Sequence, residues 1–147
     1  MNYDSIEVRE MVSRRYELTD EQWDKIKAYF DGKKGRPYNN VRNTVNGIVW
    51  ILRSGAAWRD LPACYGSCNS VYKCFCKWQK TGLFEKIFSD LALECDFKKR
   101  HLVECFFQKL KRYRRIATRY DKLAKRFLAF IHLSCTLFGC FDLFNMP

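Results

Sequence analysis

The chain lacks the residue spacings that build small metal sites. Its eight cysteines stand at positions 64, 68, 74, 76, 95, 105, 135 and 140 with no C-x2-C pair, and only His101 and His132 are available as imidazole ligands. A structural zinc site draws two ligands a few residues apart from a turn and faces them with a second such pair. Cys64 and Cys68 meet the first demand loosely, but no matching pair follows. The N-terminal stretch MNYDSIEVREMVSRRYELTD is charged and has no apolar run, so a secretory signal and a disulfide framework are not indicated. The expectation is a reduced intracellular protein whose cysteines are mostly small core residues. Strand-like alternation, internal repeats and low-complexity segments are absent too, which excludes solenoid and tail-like architectures.

Acid is scarce where base is concentrated. The formal charge is +11 over 147 residues, and residues 97–126 hold 12 Lys/Arg against only Glu104 and Asp121. The remainder of the chain carries a net charge of only +1. A nearly neutral body with one intensely basic segment points to a polyanion, nucleic acid before an anionic membrane surface. An apolar fraction of 48%, with 12 Phe, 8 Tyr and 4 Trp, is enough for a core and excludes wholesale disorder. The length suits one ordinary domain or two small ones.

The local patterns are helical throughout. Residues 1–17 read as a loosely held arm. Thr19 and Gln22 then form an S/T-x-x-E/Q capping box, in which each side chain satisfies an orphan N–H of the first helical turn. Trp23, Ile26 and Phe30 follow on one stripe, and Gly32, Gly35 and Pro37 end that helix. Val41, Val45, Ile48 and Leu52 predict a second helix from Asn40 to Ser54, with Gly55 placed where helices terminate. The connector GAAWRDLPACYGS suits a tight corner with Trp58 and Leu61 packed inward. A third helix is predicted over Asn69 to Lys80, with Val71, Phe75 and Trp78 inside and Lys73, Lys77 and Lys80 about 200° around it. After Thr81-Gly82, the residues Phe84, Ile87, Phe88 and Leu91 predict a fourth helix.

Beyond Cys95 the composition changes. Leu102, Phe106, Leu110 and Tyr113 predict a basic amphipathic helix, followed by a break at Arg115 to Thr118 and a more apolar helix. Phe127 to Phe144 is long enough to raise a membrane span, but its length is at the lower edge and it holds His132, Gly139 and Asp142. A helix meant for a protein interior explains it better, and membrane association is the second reading.

Two motifs carry chemical possibilities. The helices around the WRDLP corner have the proportions of a helix-turn-helix variant, whose following helix enters the DNA major groove. Lys73, Lys77 and Lys80 would then neutralise phosphates, while Ser67, Asn69 and Tyr72 approach bases or backbone. The alternative is a solvated lysine face on an ordinary amphipathic helix; the basic segment elsewhere favours DNA. In that segment Arg100, Glu104, Gln108 and Lys111 share one helix face. Glu104 is either half of a surface ion pair with Arg100, contributing roughly half a kcal/mol at most, or a carboxylate metal ligand among phosphate-binding cations. A single carboxylate does not hold a catalytic pair of ions.

Residues 18–91 resemble the N-terminal domain of insertion-sequence transposases with DDE catalytic cores, in the IS402-like group. The resemblance rests on LTDEQW, GRP, NGIVWILRSGAAWRDLP, YG, SVYKCFCKW and TGLFEKIF. Residues 94–138 resemble the C-terminal end of the same enzymes, through ECDF and RHLVECFFQKLKRYRRIATRYDKLAKRFLAFIHL. The family's Y-x2-R-x3-E-x6-K pattern falls on Phe97, Arg100, Glu104 and Lys111, with Phe97 replacing the tyrosine. In the family, an RNase H-like sheet lies between these two parts and supplies two aspartates. The resemblance therefore implies a chain deleted near residues 92–95, with Glu104 the one remaining acid of the metal-binding triad and Lys111 and Arg100 its neighbours. Asp60, Asp90 and Asp96 match neither aspartate.

The sequence thus leads to an all-α protein: a helix-turn-helix-like four-helix bundle over residues 18–93, then two C-terminal helices over 94–140 and a tail over 141–147, with the RNase H-like sheet missing. The tail FGCFDLFNMP departs from the family ending. The DNA-binding residues expected are Ser67, Asn69, Tyr72, Lys73, Lys77 and Lys80, with Arg112, Arg114, Arg115, Arg119 and Lys122 of the basic segment. By resemblance, Mg2+ is the cofactor of intact relatives, and none is expected for this form. The implied partners are transposon terminal inverted repeats and an intact transposase or a second copy, in the bacterial cytoplasm at the nucleoid. Without its sheet, the apolar helix is expected to fold back on the bundle, self-associate or aggregate.

Overall fold

The computed structural model describes residues 16–30, 40–94, 108, 110–118 and 122–137, and among these it is all α-helix and short helical turns. Helix α1 (Asp20–Phe30) begins with the reciprocal capping box that its sequence predicts. The Thr19 N–H donates to Gln22 Oε1 at 3.1 Å, and the Gln22 N–H donates to Thr19 Oγ1 at 3.3 Å. The entry to this helix is clamped by its neighbour. The Leu18 N–H donates to the buried Asn46 Oδ1 at 3.1 Å, and Arg42 donates to the Leu18 carbonyl at 2.9 Å. Arg42 also pairs with Asp20 at 2.6 Å. Both backbone groups of Leu18 are thus satisfied while its side chain enters the core, which is what burial of a peptide unit requires.

Helix α2 (Val41–Ser54) supplies the centre of the core with Val45, Ile48, Val49, Ile51 and Leu52. Asn40 caps it in left-handed geometry, accepting the Asn43 N–H on its side chain at 3.2 Å. Gly55 closes the other end at φ 69°, with its N–H on the Ile51 carbonyl. Glycine is required there twice over. The left-handed backbone disfavours any Cβ, and a Cβ would meet the Arg114 Cβ at 2.9 Å.

The connector makes two 3-10 turns, Trp58–Asp60 and Ala63–Tyr65, which carry Leu61 and Tyr65 into the core. Helix α3 (Cys68–Lys80) buries Val71, Phe75 and Trp78 on one stripe, and helix α4 (Leu83–Glu94) buries Phe84, Ile87 and Leu91. The two are joined across Thr81 and Gly82.

The C-terminal part differs from its sequence expectation in one respect. Where a break is expected at Arg115 to Thr118, residues Arg114–Ala117 form a single helical turn, α5, and the chain turns before it at Lys111 and Arg112. The reason is packing: Tyr113 and Arg115 are buried, and α5 lies against α2 at Gly55. Leu102 and Phe106 lie outside the described residues. Helix α6 (Ala124–Cys135) folds back on α3 and α4, one of the outcomes expected for a helix without its sheet. Its Phe130 is fully buried and stacks on the equally buried Phe75, centroids 4.6 Å apart and planes 22° from parallel. Trp58 and Phe84 complete the aromatic cluster around Phe75. No helix among the described residues is long and apolar enough to cross a membrane.

Because Phe130 is enclosed on all sides, Phe130→Ala should lower unfolding free energy by about 3–5 kcal/mol. Leu128→Ala, on the half-exposed outer face of the same helix, should lower it by less than about 1 kcal/mol. Equilibrium urea unfolding checks both, and equal losses would contradict the docking of α6.

Candidate nucleic-acid interface

The face of α3 opposite its buried stripe is basic. Lys73, Lys77 and Lys80 are all exposed, three cations spaced at i, i+4 and i+7 along the helix. At the helix start Ser67 occupies the cap position in extended geometry, and its side chain does not cap the first N–H groups of α3. Ser67 and Asn69 are exposed beside them. Tyr72 is half-buried: its ring meets the Trp58 edge at 5.2 Å, and the Arg126 guanidinium sits 5.2 Å from its centroid. The six α3 residues named from the sequence therefore divide into an outward polar set and one packed tyrosine.

The corner before α3 is longer than the roughly three to four residues of an ordinary helix-turn-helix turn. Gly55 to Ser67 holds two 3-10 turns because it must place Trp58, Leu61 and Tyr65 against the core. The tight corner of the bundle is Thr81-Gly82, after α3.

The basic-segment residues are scattered by the fold. Lys111, Arg112, Arg114 and Lys122 are exposed. Arg100, Glu104 and Arg119 lie outside the described residues. Arg115, named with them as a DNA contact, is placed inward, with 6% of its surface exposed. It donates to the Ala56 carbonyl at 2.7 Å and lies 5.6 Å from the Trp58 ring centroid and 5.2 Å from that of Phe130. Neighbouring residues on one helical turn point about 100° apart, so Arg114 reaches solvent while Arg115 enters the interior.

Two further cations join this region. Arg59, on the first 3-10 turn, and Arg126, on α6, line a cleft of about 520 Å3 together with Trp58, Cys68, Asn69, Tyr72, Arg115, Lys122 and Leu123. Sequence inspection passes over both. Arg59 lies in the WRDLP corner, whose reading centred on the helix that follows it, and Arg126 is one of many cations in its run.

Among the described residues, no three His, Cys, Asp or Glu side chains come together as a metal site; Glu104 lies outside them. Cys64 is exposed, whereas Cys135 is buried, and burial pushes its thiol up to about 11 against a smaller opposing hydrogen bond from Ser134. Cys74 is also raised by burial, offset in part by the Lys77 charge.

An all-helical unit with a lysine-lined helix and a basic cleft defines the class, and comparison with known proteins defines the family. Residues 18–88, from the entry of α1 through the first half of α4, match the family model described as "Putative transposase of IS4/5 family (DUF4096)". The chain belongs to the insertion-sequence transposases. It is similar to "Uncharacterized protein y4sN" of Sinorhizobium fredii, 33% identical over 84 residues, covering 55% of this chain and 67% of that protein. It is 56% identical over 41 residues to the "Putative transposase for insertion sequence element IS6501" of Brucella ovis, covering 28% of this chain and 32% of that one. To the "Insertion element IS402 uncharacterized 16.2 kDa protein" of Burkholderia cepacia it is 32% identical over 80 residues, covering 48% and 54% respectively. The chain thus spans about half or less of the last two relatives. No solved structure matches it.

The thiolate is the reactive form of cysteine. Brief alkylation of the native protein at pH 8, read by peptide mass spectrometry, should modify Cys64 and leave Cys135 intact. Denaturation should equalise the two. Early labelling of Cys135 in the native state would show that α6 opens readily.

Proposed function

We propose that this chain is a DNA-binding member of the transposase family that recognises transposon terminal inverted repeats and does not cut or join strands by itself. The observation that carries the reading is the exposed Lys73, Lys77 and Lys80 face of α3, supported by the exposed cations of the basic segment and by membership of the family. Charges at this spacing follow a phosphate backbone, and the polar residues at the start of α3 lie where base or sugar contacts are made. The chain is taken as two ends of a longer enzyme, a helical DNA-binding domain over 18–93 and a remnant of the catalytic core's C-terminal helices over 94–140.

The catalytic part rests on the sequence. Glu104 alone matches the acid triad of the resembled cores, with Lys111 and Arg100 as its cationic neighbours. Displacement at phosphorus in such cores relies on paired ions held by several carboxylates; one acid does not supply that set. Binding needs none of this chemistry and is retained. Leu123 and Leu128, 55% and 50% exposed on and beside α6, favour a second reading within the same family: a non-catalytic regulator that pairs with an intact transposase, or with a second copy, at transposon ends.

Affinity for a duplex carrying the inverted repeats that flank the reading frame should fall steeply with salt. Each neutralised phosphate contributes about 0.9 to the slope of log K against log salt. The triple substitution Lys73→Gln, Lys77→Gln, Lys80→Gln should therefore flatten that slope by roughly 2–3, measured by fluorescence anisotropy. Salt-independent binding would remove the assignment of these cations. In a Mg2+-supplemented cleavage and strand-transfer assay on the same DNA, the full chain should give no product. Products abolished by Glu104→Ala would overturn the catalytic half of the proposal.

A further inference from the structure

The cleft between α3 and the start of α6 is built from both ends of the chain. Arg59 and the first residues of α3 come from the N-terminal bundle, while Arg115, Lys122 and Arg126 come from the C-terminal segment. Four cations line it, and its described lining residues include no acid. Among the described residues no carboxylate pairs with Arg59, Lys122 or Arg126. Gathering like charges around one concavity is unfavourable, and a bound anion relieves it.

The geometry points to a phosphate group as the occupant, held by Arg126 and Lys122 with Arg59 at the rim. Three features choose phosphate over an aromatic or apolar ligand. First, the ring faces in the lining are already covered: Tyr72 by Arg126, and Trp58 by Arg115, Phe75 and Phe130. A base stacking on the faces that hold these arginines would have to displace them. Second, a guanidinium lying over a ring keeps its in-plane N–H edge for a ligand, and that edge suits bidentate contact with phosphate oxygens. Arg126 is held this way over Tyr72, and Arg115 is held over Trp58 with one nitrogen fixed on Ala56. Third, Cys68 and Asn69 bring the first turn of α3 to the same wall, where the Ser67 side chain leaves its N–H groups uncapped. The aromatic residues position the cations, and the cations hold the anion.

The phosphate belongs either to the backbone of bound DNA or to a small phosphate compound. The first source rests on the DNA-binding reading above; the cleft itself does not. In the DNA case it acts as a clamp beside the lysine face of α3, so the C-terminal segment contributes to binding through a fixed site as well as through net charge.

The test uses the full chain in two arms. In the first, inorganic phosphate is titrated at constant ionic strength against chloride, following backbone amide resonances. Saturable shifts at Asn69 and Tyr72 are expected, weakened at least about tenfold in both Arg126→Gln and Lys122→Gln. In the second, duplex DNA binding is measured against salt. Each of these variants should flatten the log–log slope by about 1, whereas Lys86→Gln, exposed on α4 outside the cleft, should not affect the phosphate titration. Circular dichroism shows which variants fold; Lys122, exposed at the chain surface, keeps the test available should Arg126→Gln unfold.

Loss of phosphate response and of slope together supports the clamp. Phosphate saturation without DNA binding supports the cleft as a small-phosphate site and removes the DNA reading alone. DNA binding with unchanged slopes in both variants, and no saturable phosphate response, overturns the cleft and leaves the DNA reading standing. Absence of both responses overturns both.

Discussion

The stack of Phe130 on Phe75 joins the two parts of this protein. Without it, the four-helix bundle would end its core at the outer side of α3, and α6 would have an apolar face with no surface to cover. With it, helices from opposite ends of the sequence share one continuous core that includes Ala129, Leu133 and Leu137. Burial of large rings on both sides explains why a segment read as the remnant of a lost sheet-bearing core stays folded on its neighbour. The interaction also fixes Trp58, whose ring touches Phe75, Phe130 and Tyr72.

The basic cleft follows from that docking. Once α6 lies on α3, Arg126 is carried to Tyr72, and the adjoining chain brings Lys122 to the same wall. Arg115 shows how strongly the interior can claim a cation. A guanidinium has a planar, weakly hydrated surface that tolerates contact with aromatic rings, and its fork can satisfy a buried carbonyl at the same time. Arg115 meets both conditions at Ala56, Trp58 and Phe130. Arg53 of α2 is a smaller parallel, with its guanidinium 5.7 Å from the ring centroid of Tyr16 and 5.5 Å from that of Tyr113. With Arg42 on the Leu18 carbonyl, at least three of the chain's many cations therefore serve the fold before any ligand is considered.

Much of the bundle was legible in the residue pattern because its signals are local. The capping box at Thr19 and Gln22, the asparagine cap and glycine stop of α2, and the buried stripes of α3 and α4 each follow from chemistry within a few residues. The family was legible for a different reason, since motifs such as NGIVWILRSGAAWRDLP combine the corner's aromatic and glycine requirements in one uncommon string. The course of residues 111–118 was not legible. Hydrophobic spacing sees a break where Arg115 interrupts the apolar stripe, and it has no way to register that Ala56 and two rings will solvate that arginine from inside.

By itself the sequence determined the helical class, the helix ends, the lysine face of α3 and the excess of base in the C-terminal third. Those properties depend on neighbours along the chain and on counting charge. Only the tertiary structure decided which cations face solvent, which are locked in aromatic contacts, and which from distant positions meet across one cleft. A charge in a sequence has sign but no direction, and direction is set by packing between residues as far apart as Phe75 and Phe130.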